Sequence, residues 1–190
     1  MPIIKAGNPI MDEDASLRAD CGRCAGLCCI ALAFDRSVLF TADKAAGEPC
    51  RHLSQADRCM IHAKRAASGY AGCVTYDCQG AGQLVTQDLF GGRSWRDCAD
   101  GGRAMFRAFA LARRVQHWRA LLAAAIGLPL TPPLARRRAV LAARLAPAAG
   151  WTLETLERAG NGSAGEMSDF LKALRTVTPR NGPAPPASPH

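Results

Sequence analysis

The stretch Cys21-Gly-Arg-Cys24-Ala-Gly-Leu-Cys28-Cys29 sets the character of the first half of this chain. Two cysteines separated by two residues form a knuckle whose thiolates reach one cation with little strain, as in zinc and iron–sulfur sites. The pattern continues as Cys50-x8-Cys59-x2-His62 and then Cys73-x4-Cys78. Cys59-x-x-His62 is the same knuckle with an imidazole in place of one thiolate. Eight of the nine cysteines among 190 residues therefore fall between Cys21 and Cys78. Cys21, Cys24, Cys59 and Cys73 lead the candidate metal ligands, followed by Cys28, Cys50 and Cys78, then by Cys29 and His62. Eight thiols and one imidazole exceed the four donors that one tetrahedral ion takes. Two ions, or one cluster with spare thiols, suit the supply better.

Other uses of these cysteines fit less well. A disulfide framework belongs to oxidising compartments. The cysteine count is odd, and residues Met1 to Asp14 show no basic stretch followed by an apolar one, so no secretory signal is read and a cytoplasmic setting is expected. A thioredoxin-like dithiol would need a βαβ unit around Cys21-x-x-Cys24, and none is visible. No base and orienting group single themselves out to activate a catalytic thiol, so no catalytic residue is assigned. Cys98 stands 20 positions beyond the group and reads as a small buried residue at a helix start. His52 reads as a turn or surface residue, and His117 carries no role.

The texture along the chain predicts a mainly α protein with an irregular, Cys-rich, metal-stabilised N-terminal lobe and little or no β structure. Residues 1–19 read as a leader with a short helix near Ala15–Ala19. Residues 20–96 read as the metal-binding module. Val38–Phe40 is a candidate short strand, Met60–Ala67 a candidate helix, and Gly69, Gly72, Gly80, Gly82, Gly91 and Gly92 are candidate turns. So few long elements leave the module a weak core, a situation in which small domains rely on staples such as metals. Residues 97–177 read as three or four helices. Leu111, Val115, Trp118, Leu122 and Ile126 form one helical stripe, closed by Gly127 and Pro129. Further helices are expected at Leu134–Leu145, Leu153–Arg158 and from Ser163 to Arg175, the last opened by a Ser163-x-x-Glu166 capping box. Residues 178–190, rich in Pro, Ala and Gly, read as a disordered tail.

The net charge of +8 is local. Residues 1–100 hold 11 basic and 12 acidic side chains, whereas residues 101–150 hold nine Arg and no Asp or Glu. Arg103, Arg107 and Arg114 share one helix side, and Arg136, Arg137, Arg138 and Arg144 extend the positive surface. Such a block suits an acidic partner, phosphate or an acidic membrane surface, or a solvated face in an Arg-rich composition. Its few aromatics read as core residues, so nucleic acid is the weaker expectation. The block also offers counter-charge to a thiolate site. No apolar run reaches the length of a membrane span.

The sequence resembles the YkgJ-like cysteine-cluster family, described as zinc- or iron-chelating domains. The likeness rests on Cys21-Gly-Arg-Cys24-Ala-Gly-Leu-Cys28-Cys29, Cys50-Arg-His-Leu53, Arg58-Cys59-Met-Ile-His62 and Cys73-Val-Thr-Tyr-Asp-Cys78. It is similar above all to the N-terminal region of bacterial pentapeptide-repeat proteins, through Gly80-Ala-Gly-Gln83 and Phe90-Gly-Gly-x-x-Trp95-Arg96. No pentapeptide repeats follow here. The resemblance implies a bacterial metal-binding module using Cys21, Cys24, Cys28, Cys29, Cys50, Cys59, Cys73 and Cys78, with zinc or iron as the metal in a structural or chelating role. A related group, the flagellin lysine methylases, is associated with an iron–sulfur cluster, which keeps an iron–sulfur redox protein or enzyme as the alternative.

Overall fold

The computed structural model describes residues 14–177. The expected tail, residues 178–190, and most of the expected leader lie outside them. Helix dominates, and β structure among the described residues is confined to three isolated antiparallel bridges. The expectation of a mainly α fold with little β holds.

The longest element is α4, Arg103–Ala124, and the molecule is built around it. Before it stand three short helices: α1, Leu27–Ala31, α2, Gly72–Thr75, and α3, Ala81–Gln83, which continues as a π turn over Leu84–Leu89. After it come α5, Pro132–Arg144, α6, Leu153–Gly162, and α7, Ala164–Leu174. The starts of these later helices follow their local chemistry. Pro132 and Pro133 occupy the first turn of α5, where a missing N–H costs nothing. Thr152 and Thr155 close a capping box on α6. Asp100 receives the backbone N–H groups of Gly102 (2.9 Å) and Ala104 (2.7 Å) at the start of α4. Those bonds hold its carboxyl below the usual carboxylate range.

Burial on α4 follows Met105, Ala108, Phe109, Ala112, Val115 and Leu122, shifted from the stripe read in the sequence. Leu111 and Trp118 flank this face half-buried, and Ile126 is exposed because the chain has tightened into a 3-10 turn, Ala125–Gly127. One hydrophobic core runs through the whole molecule. Leu27 and Ile30 of α1, Ala81 of α3 and Val85 of the π turn join Phe109 and Val115 of α4, Leu141 of α5, Leu156 of α6, and Met167 and Phe170 of α7.

Several local expectations need correction. Val38 and Leu39 form the exposed tip of a hairpin closed by a Ser37–Phe40 bridge, so the strand is absent. Only one 3-10 turn, His62–Lys64, stands where a helix over Met60–Ala67 is expected, and Ala15–Leu17 is likewise a single 3-10 turn. Gly72 and Gly82 are helical rather than turn residues. Ser163 precedes α7 but makes no capping bond; its buried hydroxyl has no partner, because the backbone there is already helical. Cys98 lies after the Trp95–Asp97 3-10 turn, ahead of α4 rather than at its start, and packs half-buried against the core as expected.

Candidate metal centre

Short turns, α1 and the loops between them bring the cysteines together. The first knuckle forms a 3-10 turn, Cys21–Arg23, begun by the Asp20 carboxylate accepting from the Gly22 amide. Gln83, Thr86 and Gln87, spaced i, i+3 and i+4 on the α3–π segment, hold this turn. Gln83 Nε2 donates to the Arg18 carbonyl (2.5 Å), and its Oε1 accepts from the Asp20 amide (3.0 Å). Thr86 Oγ1 accepts from the Ala25 amide (3.0 Å), and Gln87 Nε2 donates to the Arg23 carbonyl (2.7 Å). From the other side, Arg58 donates to the carbonyls of Cys21 (3.1 Å), Cys24 (2.7 Å) and Gly22 (2.6 Å).

α1 carries Cys28 and Cys29, whose sulfurs lie 3.9 Å apart. The amide of Cys50 donates to the Cys29 carbonyl (2.8 Å), which docks the second cysteine segment on α1. A bridge between Leu53 and Cys59 folds that segment back. Arg65 then ties the second knuckle to the last one, donating to the carbonyls of His62 (2.9 Å) and Cys73 (2.8 Å). Cys78 closes the ring beside α3, where Gly82 permits the approach. A Cβ there would meet Cys24 Sγ at 2.6 Å and Cys78 Sγ at 3.9 Å.

The outcome is a cavity of about 510 Å³ lined by all eight cysteines between Cys21 and Cys78 and by His62. Leu32, Phe34, Phe40 and Tyr76 supply apolar and aromatic parts of the wall. Cys98 and His52 are not on it; His52 packs edge-on against Tyr70, 4.8 Å between ring centres. No cysteine is in a disulfide. Among the described residues, no three His, Cys, Asp or Glu side chains stand close enough to hold one ion as they are. The thiols line a chamber rather than a single tetrahedron.

The chemistry of this wall suits a soft metal. Thiolates select zinc, Cu(I) and iron–sulfur centres over hard cations. Asp57, the carboxylate on the wall, is engaged by Arg96 Nε (3.0 Å) and the Ser94 hydroxyl (2.5 Å). Burial pushes the Cys24 thiol up to about 12 and the Cys73 thiol up to about 11, and raises Cys21 and Cys78 as well. Cys28 is raised furthest, by its contact with Cys29 and then by burial. Thiols this strongly held as SH form thiolates only against a compensating positive charge. Two further groups point the same way. Lys44 is buried, with Nζ donating to the carbonyls of Glu48 (2.9 Å), Ala45 (3.0 Å) and Ile30 (3.3 Å). Burial lowers its pKa, while Cys50, Cys29 and Cys28 act to raise it. The Tyr76 hydroxyl is buried without a hydrogen-bond partner, and burial raises its pKa beyond the ordinary phenol range. A buried hydroxyl and ammonium beside these sulfurs would both be stabilised by thiolate charge.

Most of the Arg-rich block is engaged away from the cysteine cavity; Arg113 is the exception. Arg119 is bound by Asp14 (2.6 Å) and donates to Gln116 Oε1 (2.6 Å). Arg144 pairs with Glu166, and Arg114, Arg137 and Arg138 donate to the carbonyls of Gly160, Glu166 and Leu122. Arg113 lies over the Tyr76 ring, 5.3 Å from its centre. Arg103, Arg107 and Arg136 stay exposed. Arg58 and Arg65 on the cavity wall and Lys44 within electrostatic range of its sulfurs come from the cysteine module itself. His117, Arg113 and Arg114 line a second cavity of about 290 Å³ against Asp77 and Cys78. Sequence reasoning passed over the clamp formed by Gln83, Thr86, Gln87, Arg58 and Arg65. Its one visible signal is the helical spacing of Gln83, Thr86 and Gln87.

No family model matches the chain, and no solved structure is similar to it. The uncharacterised protein YybG of Bacillus subtilis (strain 168) is 36% identical over 118 residues, 62% of this chain and 42% of that protein. The chain thus spans less than half the length of this curated relative. No helix among the described residues is long and apolar enough to cross a membrane.

Proposed function

We propose that this protein binds zinc or iron through the cysteine-lined cavity, in a structural or chelating role, as the YkgJ-like cysteine-cluster domains it resembles are described to do. The observation that carries the reading is the convergence of eight thiols and His62, drawn from four separate sequence segments, on one chamber. Ordinary buried cysteines scatter through a core, as Cys98 does; they do not gather around one cavity. The buried Lys44 ammonium and the Tyr76 hydroxyl support it, because thiolate charge would offset the burial of the first and offer an acceptor to the second.

The chain's own residues would supply sulfur ligands, hold them in place through Arg58, Arg65 and Gln83, and keep water from the site with Phe34, Phe40 and Leu32. Bound metal would cross-link segments that otherwise share little apolar packing. The test is elemental analysis with a visible spectrum on anaerobically prepared full-length protein. Stoichiometric zinc without colour, or iron with thiolate absorbance, is the expected result. Folded protein that neither carries nor takes up a thiophilic metal would overturn the reading.

A further inference from the structure

The second cavity, of about 290 Å³, has no part in the metal reading. α4 gives it Ala110, Arg113, Arg114 and His117, spaced i, i+3, i+4 and i+7 on one helix face. The segment Asp77-Cys78-Gln79 supplies the rest of the lining. Both arginines are held before anything binds. Arg113 lies over the rings of Tyr76 (5.3 Å) and Phe109 (5.9 Å), contacts with ring faces that spare most of its N–H groups. Arg114 commits one amino group to the Gly160 carbonyl (3.1 Å). Among the described residues neither forms an ion pair, whereas Arg119 and Arg144 of the same block do.

The other wall is fixed as well. Gln79 holds left-handed backbone, φ 51°, although it is not glycine. Its amide donates to Asp77 Oδ1 (2.7 Å), and its carbonyl accepts from the buried Gln116 (2.9 Å). Backbone strain kept in place by bonds on both sides gathers at binding sites. Asp77 Oδ2 has no hydrogen-bond partner among the described residues, so one carboxylate oxygen stays open to a ligand.

We propose that this cavity binds a small oxyanion that carries a hydroxyl proton, hydrogen phosphate or a hydroxycarboxylate. Arg113, Arg114 and His117 donate to its charged oxygens, and Asp77 accepts from its O–H. Two guanidinium groups against one carboxylate leave the lining positive with His117 neutral, and an Arg fork matches the edge of a phosphate or carboxylate. Donors already held in place lose little freedom on binding. The volume lies at the lower limit of small-molecule sites, which suits a free anion rather than a nucleotide or a nucleic-acid chain. Asp77 sets the selectivity, because it repels an anion that has no proton to give. The site does not depend on metal in the cysteine chamber, although Cys78 lines both cavities.

Isothermal titration of the full chain at low ionic strength tests this with two charge-matched pairs, phosphate against sulfate and malate against succinate. The first of each pair carries an O–H, at a pH where phosphate keeps one proton. One ion per chain is expected, with phosphate or malate bound at least tenfold more tightly than its counterpart; the pair that shows the preference identifies the source. Arg114→Gln should weaken that binding tenfold or more, and Asp77→Asn should remove the preference within the pair. Arg136→Gln, exposed on α5, should change neither. No saturable binding of any of the four at millimolar concentration, equal binding within both pairs, or equal losses in Arg114→Gln and Arg136→Gln would overturn the proposal. Metal content, measured on the same samples, should be the same in Arg114→Gln as in the unaltered chain, so this site and the metal reading fail separately. The preference within the pairs decides the matter in the unaltered chain even if a variant fails to fold.

Discussion

Gly82 is a glycine because a sulfur occupies the space where a side chain would begin. Its helical φ is open to any residue, so the constraint is contact alone. With 2.6 Å to Cys24 Sγ, Gly82→Ala must displace a thiol or the helix that carries it. An overpacked change of this kind costs about 1–3 kcal/mol. The expected result is a lower urea midpoint together with a tenfold or greater loss in chelator competition. Gly165→Ala meets nothing within 4 Å and should leave metal affinity unchanged while stabilising α7 by up to about 1 kcal/mol. Equal behaviour of the two variants would remove the argument. The thiols themselves predict a pH dependence. While the metal-free module stays closed, burial holds the Cys24 and Cys73 thiols above the ordinary value of 9.0, at about 12 and about 11. A folded pKa above the unfolded one stabilises fully below the unfolded value and is lost as pH rises through the folded value. The urea midpoint of metal-free protein should therefore fall from pH 9 upward, whereas apparent metal affinity should rise with pH over the same range. A midpoint that climbs above pH 9 would contradict this. These residues also mark what a sequence reveals. Cysteine spacing is visible because ligation imposes it locally. Lys44, Gln83 and Arg58 are not, because their meaning lies in carbonyls that fold against them from 14, 65 and 34 positions away.

α4 is the element on which the others depend. Its buried face meets α1 and α3 on the cysteine side and α5 and α6 on the other. Gln116, fully buried in that face, donates to the carbonyls of Ser16 and Gln79, both 2.9 Å away, and so fastens the segment ahead of the cysteine module and a loop within it to the helix. Phe109, 1% exposed, lies in the core shared by both halves. Phe109→Ala should cost about 3–5 kcal/mol, the range for emptying a large buried aromatic site. Near-ultraviolet signals from Tyr70 and Tyr76 should fade in the same urea transition as helical circular dichroism. Two separate transitions in this variant would show that α4 does not join the parts. The helices from α4 onward were legible because Pro132, Pro133 and Gly127 punctuate them and apolar residues recur with helical period. The buried stripe of α4 was read off register because small Ala108 and Ala112 line the core, where composition draws the eye to Leu111 and Trp118.

At the scale of the molecule, apolar burial and ligand supply are unevenly shared. From Leu27 to Phe90 the fully covered apolar side chains are few, and most belong to the core shared with α4, as Leu27, Ile30 and Val85 do. The outer face of the module, with Val38, Met60 and Val74 exposed, is held by turns, side chain-to-carbonyl bonds and one small aromatic cluster, Phe34, Phe40 and the buried Tyr70. Helices α4 to α7 carry their own large buried residues, among them Phe109, Leu141, Leu145, Leu156 and Phe170. Segments with few buried apolar contacts open at low free energy. Where ligands tie such segments together, metal free energy becomes folding free energy. Exhaustive chelation should therefore release residues 20–90 first. Hydrogen exchange should accelerate across the cysteine module, and proteases should cut there, while amides at the centre of α4 and in α6 remain protected. The contacts of Leu27 and Val85 with α4 set the limit of the effect, because they fray last within the module. Circular dichroism and protease resistance that do not change after complete metal removal would show that packing alone holds the module, and the metal would then be cargo rather than a structural cross-link.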